Sequence, residues 1–513
     1  MRTYISGTGQ AEHFIDMKID RFGNVYETGW RNISTFNSDI TTLKYNNAGV
    51  LQWSASYNTG PGFIDGPSSI SVDSFGNCYI AGYFIDMFGP LHGIIIKYNL
   101  NGDTLWTRKL ITIFYDEFID IAIDPSNLIY VTGLSGDSAI VFKYDMEGNL
   151  IWRTSFYESQ YKCLKGFIKL DKLNNLYIGS EKVNVQNSEK SDILIRKYTP
   201  NGTLLWTATY NNPLNRADWL SGLAIDNSSN CYIVGFSDLG SGRDYDLVTI
   251  KFDSTGKLQW SKLYNGQSSA NDQGTAITCD SLGSNIFVTG FSFDSVSGFN
   301  YVTIKYNSYG DSLWVRTYNG TGNYSDRAYD IAIDKSYNVY VTGESRVNEN
   351  DFDVATIKYS VNGNQEWIVR WTGTNSWSDA GKKITLDDLN NIYIGGVTTI
   401  QSVWAFLAIK YSQTQGIKQI GNNVLDRYIL FQNYPNPFNP KTSIKFQVSR
   451  SSDIKIIVFD LLGREVATLV NEKLSPGTYE TDWDASTFTS GVYFYRLIAD
   501  GNIIDTKKLI LIK

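Results

Sequence analysis

Short segments of alternating apolar and polar residues fill most of the chain and recur in a fixed order. In one copy the first segment reads DIAID and ends at Asp334, the second reads NVYVTG, and the third reads TIKY. An alternation with a period of two places apolar side chains on one face of a β-strand. Turns rich in Gly and Asn separate the segments. The pattern predicts a unit of four short strands, of which the fourth carries a tryptophan.

The unit recurs at intervals of 47 to 55 residues, and a closing aspartate on the first strand marks each copy. These aspartates are Asp20, Asp73, Asp124, Asp171, Asp226, Asp280, Asp334 and Asp387. A period near fifty residues with strand chemistry is typical of the blades of a β-propeller. A lysine in the third strand is present in all eight copies, from Lys44 to Lys410.

The first and last repeats can be linked by counting the predicted strands. Eight copies of the first three strands are present, but only seven internal copies of the tryptophan strand. The N-terminal MRTYISGTG matches VRTYNGTG at residues 315–322, so the N-terminal strand is predicted to supply the missing fourth strand. Such closure removes two open sheet edges. We therefore predict an all-β fold with an eight-bladed β-propeller closed by the N-terminal strand, with seven blades as the alternative.

The motifs GNxYVTG, TIKY and GxxxW together resemble the SBBP type of bacterial β-propeller repeat over roughly residues 1–415. The resemblance implies the architecture, but it implies no activity, because one fold hosts many functions.

The composition changes at Asn433, where NYPNPFNP precedes short alternating strands. Six or seven such strands, separated by Gly, Asp and Asn turns, predict a small antiparallel Ig-like β-sandwich. The predicted domains are a propeller at 1–415, a linker at 416–432 and the sandwich at 433–513.

The segment 433–513, with VFDLLGREVATL, LSPGTYETDWDAS and SGVYFYRL, is similar to the type A C-terminal sorting domain of the type IX secretion system. The resemblance implies that this segment engages the secretion machinery of a Bacteroidetes-like bacterium. It also implies an extracellular or outer-membrane-surface location. No signal-peptide pattern precedes the repeats, so we expect the chain to be N-terminally truncated.

Bulk properties exclude several classes of function. The net charge is −7 with both signs interspersed, so no basic field exists to hold nucleic acid. No apolar run reaches the roughly 20 residues of a membrane helix. The four cysteines fit no C-x-x-C spacing and are predicted to be buried apolar side chains.

Seven of the eight copies carry a carboxylate eight residues before the marker aspartate: Glu12, Asp65, Asp116, Asp218, Asp272, Asp326 and Asp379. The fourth copy has Cys163 there. These residues precede the innermost strands, so they are predicted to circle one mouth of the central channel. Carboxylate oxygens suit hard cations, which makes the ring a candidate ligand site or calcium site. Alternatively, each carboxylate caps a turn or pairs with the repeated lysine.

Enzyme signatures are largely missing. The chain has two histidines, His13 and His92, and neither H-E-x-x-H nor G-x-S-x-G. The leading hypothesis is therefore a secreted or cell-surface protein that binds a glycan or a surface protein, without catalytic residues. The alternative is an extracellular carbohydrate-active enzyme that uses the acids of the mouth, and a third is a spacer without a ligand. The second to fourth copies diverge most, and a specific site is expected there.

Overall fold

The computed structural model describes residues 2–512 except 6–9, 35–36, 87–88, 188–189, 241–244, 267, 269, 350, 374–377, 401, 413–417, 422–426 and 486–487. All regular elements in these ranges are strands, which confirms the all-β fold class. The chain divides into two compact units, Met1–Tyr411 and Ser412–Lys513.

The first unit consists of short strands of four to ten residues. In chain order they are β1 (Arg2–Ile5), β2 (Glu12–Ile19), β3 (Val25–Ser34), β4 (Asn37–Tyr45), β5 (Leu51–Tyr57), β6 (Ile64–Val72), β7 (Cys78–Ile85), β8 (Leu91–Tyr98), β9 (Thr104–Leu110), β10 (Asp116–Ile123), β11 (Ile129–Ser135), β12 (Ser138–Tyr144), β13 (Leu150–Phe156), β14 (Tyr161–Leu170), β15 (Leu176–Asn184), β16 (Ser191–Tyr198), β17 (Leu204–Tyr210), β18 (Asp218–Ile225), β19 (Cys231–Asp238), β20 (Tyr245–Phe252), β21 (Leu258–Tyr264), β22 (Asp272–Cys279), β23 (Asn285–Asp294), β24 (Gly298–Asn307), β25 (Ser312–Tyr318), β26 (Asp326–Ile333), β27 (Val339–Asn348), β28 (Asp351–Tyr359), β29 (Gln365–Trp371), β30 (Ala380–Leu386), β31 (Ile392–Ile400) and β32 (Val403–Tyr411).

Each set of four consecutive strands from β2 to β29 pairs antiparallel, and we number these sets repeat sheets 1 to 7. Repeat sheet 8 contains β30, β31 and β32, and β1 is its fourth strand. The register of β1 on β32 runs from Arg2 opposite Lys410 to Ile5 opposite Leu407. A single parallel bridge between Ser38 and Ile64 additionally joins repeat sheets 1 and 2.

The marker aspartate builds the turn that follows each first strand. Asp73 accepts the backbone N–H groups of Phe75 at 2.9 Å and Asn77 at 2.8 Å. It also accepts the side-chain amide of Asn77 at 2.8 Å and the hydroxyl of Tyr79 at 2.9 Å. The same four bonds recur at Asp334. The aspartate therefore recurs because its carboxylate satisfies backbone donors that the turn leaves unpaired.

Apolar side chains of neighbouring repeat sheets meet in shared cores. Ile95 of repeat sheet 2 lies in one buried cluster with Phe118 and Val131 of repeat sheet 3. Leu43 of repeat sheet 1 shares a cluster with Phe406 of repeat sheet 8. Burying one such side chain stabilises the fold by about 1.5–3 kcal/mol. Cores between sheets, together with contacts between successive first strands, thus hold the repeats together.

The repeated lysine and tryptophan bind the neighbouring repeat sheet. Lys97 Nζ and Trp106 Nε1 both donate to the carbonyl of Met146, at 2.8 and 3.1 Å. The Lys97 ammonium also lies 5.0 Å from the centre of the Tyr79 ring, a cation–π contact. The same two donors share one carbonyl in three further pairs: Lys143 and Trp152 on Pro200, Lys251 and Trp260 on Ser308, and Lys305 and Trp314 on Val361. The lysine is therefore a structural contact between sheets.

The second unit has two four-stranded antiparallel sheets, ordered β33-β38-β35-β34 and β37-β36-β39-β40. The strands are β33 (Lys418–Gly421), β34 (Ile429–Leu430), β35 (Lys441–Val448), β36 (Ser452–Phe459), β37 (Glu465–Leu474), β38 (Gly477–Asp484), β39 (Gly491–Ala499) and β40 (Asn502–Leu511). Phe446, Trp483 and Tyr495 lie in one apolar core that both sheets share. Strands β33 and β34 fall within the predicted linker 416–432, and the linker residues 416–417 and 422–426 lie outside the described part of the chain.

Candidate functional site

The seven carboxylates predicted from the repeat lie at the start of the first strands. Five begin β2, β10, β18, β22 and β26, Asp65 is the second residue of β6, and Asp379 directly precedes β30. All seven are at most 1 % exposed. The seven residues define one edge of the repeat sheets, which we call the carboxylate end. They are Glu12, Asp65, Asp116, Asp218, Asp272, Asp326 and Asp379. The loops that connect successive repeat sheets lie at this end.

Each aspartate of this set fastens the loop that enters its own strand. The donor is a backbone N–H four to six residues earlier, at 2.6 to 3.0 Å: Thr59 to Asp65, Thr112 to Asp116, Asn212 to Asp218, Gly266 to Asp272, Gly320 to Asp326 and Gly373 to Asp379. A serine of the second strand binds the other oxygen in two sheets, with Ser135 Oγ 2.6 Å from Asp116 and Ser237 Oγ 2.5 Å from Asp218. Glu12 instead forms an ion pair with Arg31, with Oε1 2.7 Å from Nη2.

Burial dominates the electrostatics of these groups. It raises the pKa of Asp218 and of Asp379 to about 6. At Asp218 the hydrogen bond from Ser237 acts in the opposite direction. Burial also raises the pKa of Asp65, Asp272 and Asp326. A carboxylate must be deprotonated to bind a cation, so a raised pKa weakens it as a ligand.

These contacts favour the loop-capping alternative for the seven carboxylates. Each described carboxylate is engaged with its own loop or strand. Within the described residues, no group of three or more His, Cys, Asp or Glu side chains is arranged to hold a metal ion. A calcium ring at this end stays a prediction that the geometry does not favour.

The fourth copy replaces the carboxylate by Cys163, and a buried arginine accompanies this change. Arg196 is 1 % exposed and lies with Nη2 3.6 Å from Cys163 Sγ. Its guanidinium also lies 3.3 Å from the centre of the Phe156 ring. The other copies have an apolar side chain at the position of Arg196. Repeat sheet 4 is therefore the one that departs most from the common loop anchor.

A second charged cluster lies on the first strands, where sequence reasoning found nothing. Asp16, Asp120 and Asp330 each accept a backbone N–H from the first strand of the next repeat sheet, at 3.3, 2.9 and 2.9 Å. Lys383 is half-buried near Asp16 and Asp330. Desolvation lowers its pKa, but the carboxylates of Asp16, Asp330 and Asp120 outweigh that effect and raise the pKa of Lys383. All four residues stand four positions before a marker aspartate, and this shared spacing was the available signal.

A cleft of about 210 Å³ opens at the carboxylate end between repeat sheets 1 and 2. Its lining residues are Trp30, Asn32, Ser34, Asn37, Ser38, Ile64, Asp65 and Tyr83. Only Asp65 among these was predicted as a site residue. Trp30 directly follows Thr28 and Gly29 in the second strand. The residue at this position differs among the eight copies, which carry Trp, Tyr, Leu, Glu, Phe, Phe, Glu and Val in order. This variation was the sequence signal for the cleft.

An exposed apolar loop lies between β9 and β10, also at the carboxylate end. Ile113 is 87 % exposed and Tyr115 is 73 % exposed, and Ile111 and Phe114 are exposed as well. The loop is nevertheless fixed, because the N–H of Thr112 donates to Asp116 and the N–H of Gly136 donates to the carbonyl of Tyr115 at 2.8 Å. This stretch belongs to the third copy, one of the divergent copies in which the sequence predicts a specific site.

Comparisons with known protein families match one segment in each part of the chain. Residues 432–513 match the secretion system C-terminal sorting domain. Residues 316–353 match the beta-propeller repeat of the SBBP family. The chain is thus a β-propeller repeat protein with a type IX secretion sorting domain, and the sorting domain places it outside the cell or on the cell surface. The described residues contain no helix with the length and apolar character needed to cross a membrane.

Similarity to individual proteins is weak. An uncharacterized WD repeat-containing protein of Acanthamoeba polyphaga mimivirus is 24 % identical over 435 residues, covering 70 % of this chain. The chain spans only 30 % of that protein's length. PorZ, a surface component of the type IX secretion system of Porphyromonas gingivalis, is 14 % identical with a TM-score of 0.41, covering 96 % of this chain and 68 % of PorZ. The propeller domain of the Trilobed protease of Pyrococcus furiosus is 7 % identical with a TM-score of 0.41, covering 71 % and 99 %. Similarity at this level says nothing about what this chain binds.

Proposed function

We propose that this protein is a secreted or cell-surface binding protein that holds an extracellular glycan or protein at its carboxylate end. The type IX machinery exports it through residues 433–513. The observation that carries the proposal is the contrast between a uniform scaffold and the fixed apolar loop at 111–115. A loop that exposes Ile113, Phe114 and Tyr115 contributes little to the core, and exposed apolar patches of this kind are typical of interaction sites.

The proposed scaffold is a ring of eight blades, and an Ig-like sandwich follows it along the chain. Three contacts support closure between repeat sheets 8 and 1: β1 completes repeat sheet 8, Leu43 and Phe406 share a core, and Lys410 Nζ donates to the carbonyl of Asn47 at 3.3 Å. This last bond repeats the contact of Lys97 with Met146. A closed ring fixes all connecting loops at one end, which gives a ligand a rigid surface.

Binding accounts for the carboxylate end better than catalysis does. A glycosidase needs two carboxyl groups that face the same bond and are free to transfer protons. The described aspartates of this end instead accept hydrogen bonds from their own loops, and Glu12 is paired with Arg31. These contacts leave no carboxyl pair arranged for acid–base work among the described residues of this end.

The test uses the labelled full chain and intact cells of the bacterium that makes it. Saturable binding that a variant with Ile113→Ser and Phe114→Ser loses by at least about tenfold supports the proposal. The matched control is Leu214→Ser, because Leu214 is as exposed as Phe114 and lies in the corresponding loop that enters β18. Unsaturable binding, or equal loss in both variants, would refute it. Release of reducing sugar from the same cells by the wild-type chain would favour the carbohydrate-active enzyme instead.

A further inference from the structure

The cleft between repeat sheets 1 and 2 has preformed walls. Trp30 and Asn32 alternate along β3 and therefore share one face of the strand. Ser34 lies beyond an irregularity in the pairing of β3 and β4, and it also lines the cleft. Ser38 stands opposite Asn32 in the register of β3 and β4. The facing wall comes from repeat sheet 2, and the bridge between Ser38 and Ile64 joins the two walls. This bridge ties the two walls of the cleft to each other.

Aromatic rings form the apolar part of the cleft. The His13 ring stacks on Trp30 with centroids 4.8 Å apart, and Asn32 Nδ2 lies 3.3 Å from His13 Nε2. These contacts fix the orientation of the indole. Tyr83 contributes a second ring, which lies across Gly66, where an added Cβ would come within 2.6 Å of the ring. Two held aromatic side chains suit the flat C–H face of a small ring compound.

The polar part of the cleft contains an amide that lacks a partner. Asn37 Oδ1 is buried and accepts no hydrogen bond from the described residues. A buried acceptor without a donor is unfavourable, so a ligand hydroxyl that donates to it would strengthen binding. Asp65, in contrast, is already bound by the N–H of Thr59 at 3.0 Å and by its hydroxyl at 2.5 Å. The cleft therefore offers an uncharged acceptor and amide donors.

Size and charge limit the ligand further. A volume of about 210 Å³ lies below the roughly 300–1,000 Å³ of sites for drug-sized ligands, so one ring fits and an oligomer does not. Among the described residues that line the cleft there is no lysine or arginine, so these residues offer an anionic ligand no counter-charge. A purely apolar ligand would leave Asn37 without a partner.

We propose that the cleft formed by Trp30, Asn37 and Tyr83 binds a single uncharged sugar residue, such as the terminal hexose of a surface polysaccharide. The assignment rests on the proposed binding function and names one ligand class for it. Trp30 and Tyr83 contact the C–H face of the sugar, while Asn37 accepts a hydroxyl hydrogen bond. The apolar loop at 111–115 belongs to a different part of the carboxylate end, so the two sites can be tested separately.

The test titrates the full chain with neutral hexaoses of glucose and mannose and with hexagalacturonate as the acidic probe. Ligand-observed saturation transfer and calorimetry report binding. We expect saturable binding of at least one neutral hexaose, and a loss of at least about tenfold in Trp30→Ala. Asn37→Leu, which removes the amide acceptor, should weaken binding by a smaller factor.

The matched control is Phe236→Ala, because Phe236 occupies the position of Trp30 in repeat sheet 5 and lies outside this cleft. It should bind like the wild type, and circular dichroism of each variant checks its fold. The inference is wrong if no neutral hexaose binds, if the acidic probe binds equally well, or if Phe236→Ala and Trp30→Ala weaken binding alike. If any of these results is obtained and the chain still binds cells saturably, the proposed binding function is retained and only the assignment of the cleft to a sugar is wrong.

Discussion

Lys410 Nζ donates a hydrogen bond to the main-chain carbonyl of Asn47 at 3.3 Å, although 363 residues separate the two along the chain. Lys251 makes the corresponding bond to Ser308 at 3.1 Å across 57 residues. The junction between the last repeat sheet and the first thus has the same contact as a junction between consecutive repeats. This equivalence is the basis for a closed ring of eight blades.

If the ring is closed, Lys410→Met and Lys251→Met will destabilise the first unit by similar amounts. Each variant removes one hydrogen bond to a carbonyl, a loss of about 1–2 kcal/mol in the free energy of unfolding. Urea unfolding followed by tryptophan fluorescence measures the difference. The control is Lys172→Met at an exposed site, which should be neutral. A neutral Lys410→Met beside a destabilising Lys251→Met would speak against closure.

Glu27 should make stability depend on pH near neutrality. It occupies a core position where the other copies carry Ile or Val, and it stands in register with Met17 and Leu43 of the core between repeat sheets 1 and 8. Burial, reinforced by Glu12, raises the pKa of Glu27 to about 8. The folded state then holds a proton that the unfolded state releases above about pH 4.5, so the free energy of unfolding falls by about 1.4 kcal/mol per pH unit up to about pH 8.

The variant Glu27→Ile should remove this slope and stabilise the protein at pH 7. Unfolding titrations at pH 5, 6, 7 and 8 measure it. Glu147→Gln, at an exposed turn, serves as the control and should keep the wild-type slope. An unchanged slope in Glu27→Ile would show that Glu27 is ionised and solvated in the folded state.

The carboxylates of the loop anchors predict a second pH effect at lower pH. The pKa of Asp218 is raised to about 6, above its unfolded value near 3.8, so its contribution to stability is full below about pH 4 and is lost as the pH rises to 6. Asp218→Asn should flatten the stability curve between pH 4 and 6. The substitution should also lower the free energy of unfolding, because the amide NH2 of asparagine replaces one carboxylate oxygen and cannot accept the hydrogen bond from Asn212.

The exposed Asp103→Asn is the control for this effect and should keep the slope. Two-dimensional NMR of the carboxyl carbons would give the pKa of Asp218 directly. A value near 4 would contradict the account of buried, loop-fastening carboxylates.

The repeated unit could be predicted because its causes are local. A marker aspartate such as Asp73 binds donors within six residues, so its spacing is visible in the sequence. The role of Asp218 was harder to predict, since its partners are a loop N–H and Ser237 on another strand. The cleft around Trp30 was not predictable from one copy, because three of its eight lining residues come from the neighbouring repeat sheet. The apolar loop at Phe114 was visible as a departure from the repeat, although its fixed conformation was not.

The most direct test of the closed ring is hydrogen exchange along β32. In the full chain β1 pairs with residues 407–410 of this strand, with Thr3 opposite Ile409 and Tyr4 opposite Ala408. Peptides that cover 407–410 should therefore exchange as slowly as those that cover 354–359 of β28, which pair with β29 in repeat sheet 7. Deleting residues 1–9 should speed exchange at 407–410 at least about tenfold and leave β28 unchanged. Equal protection of β32 with and without residues 1–9 would contradict closure by the N-terminal strand.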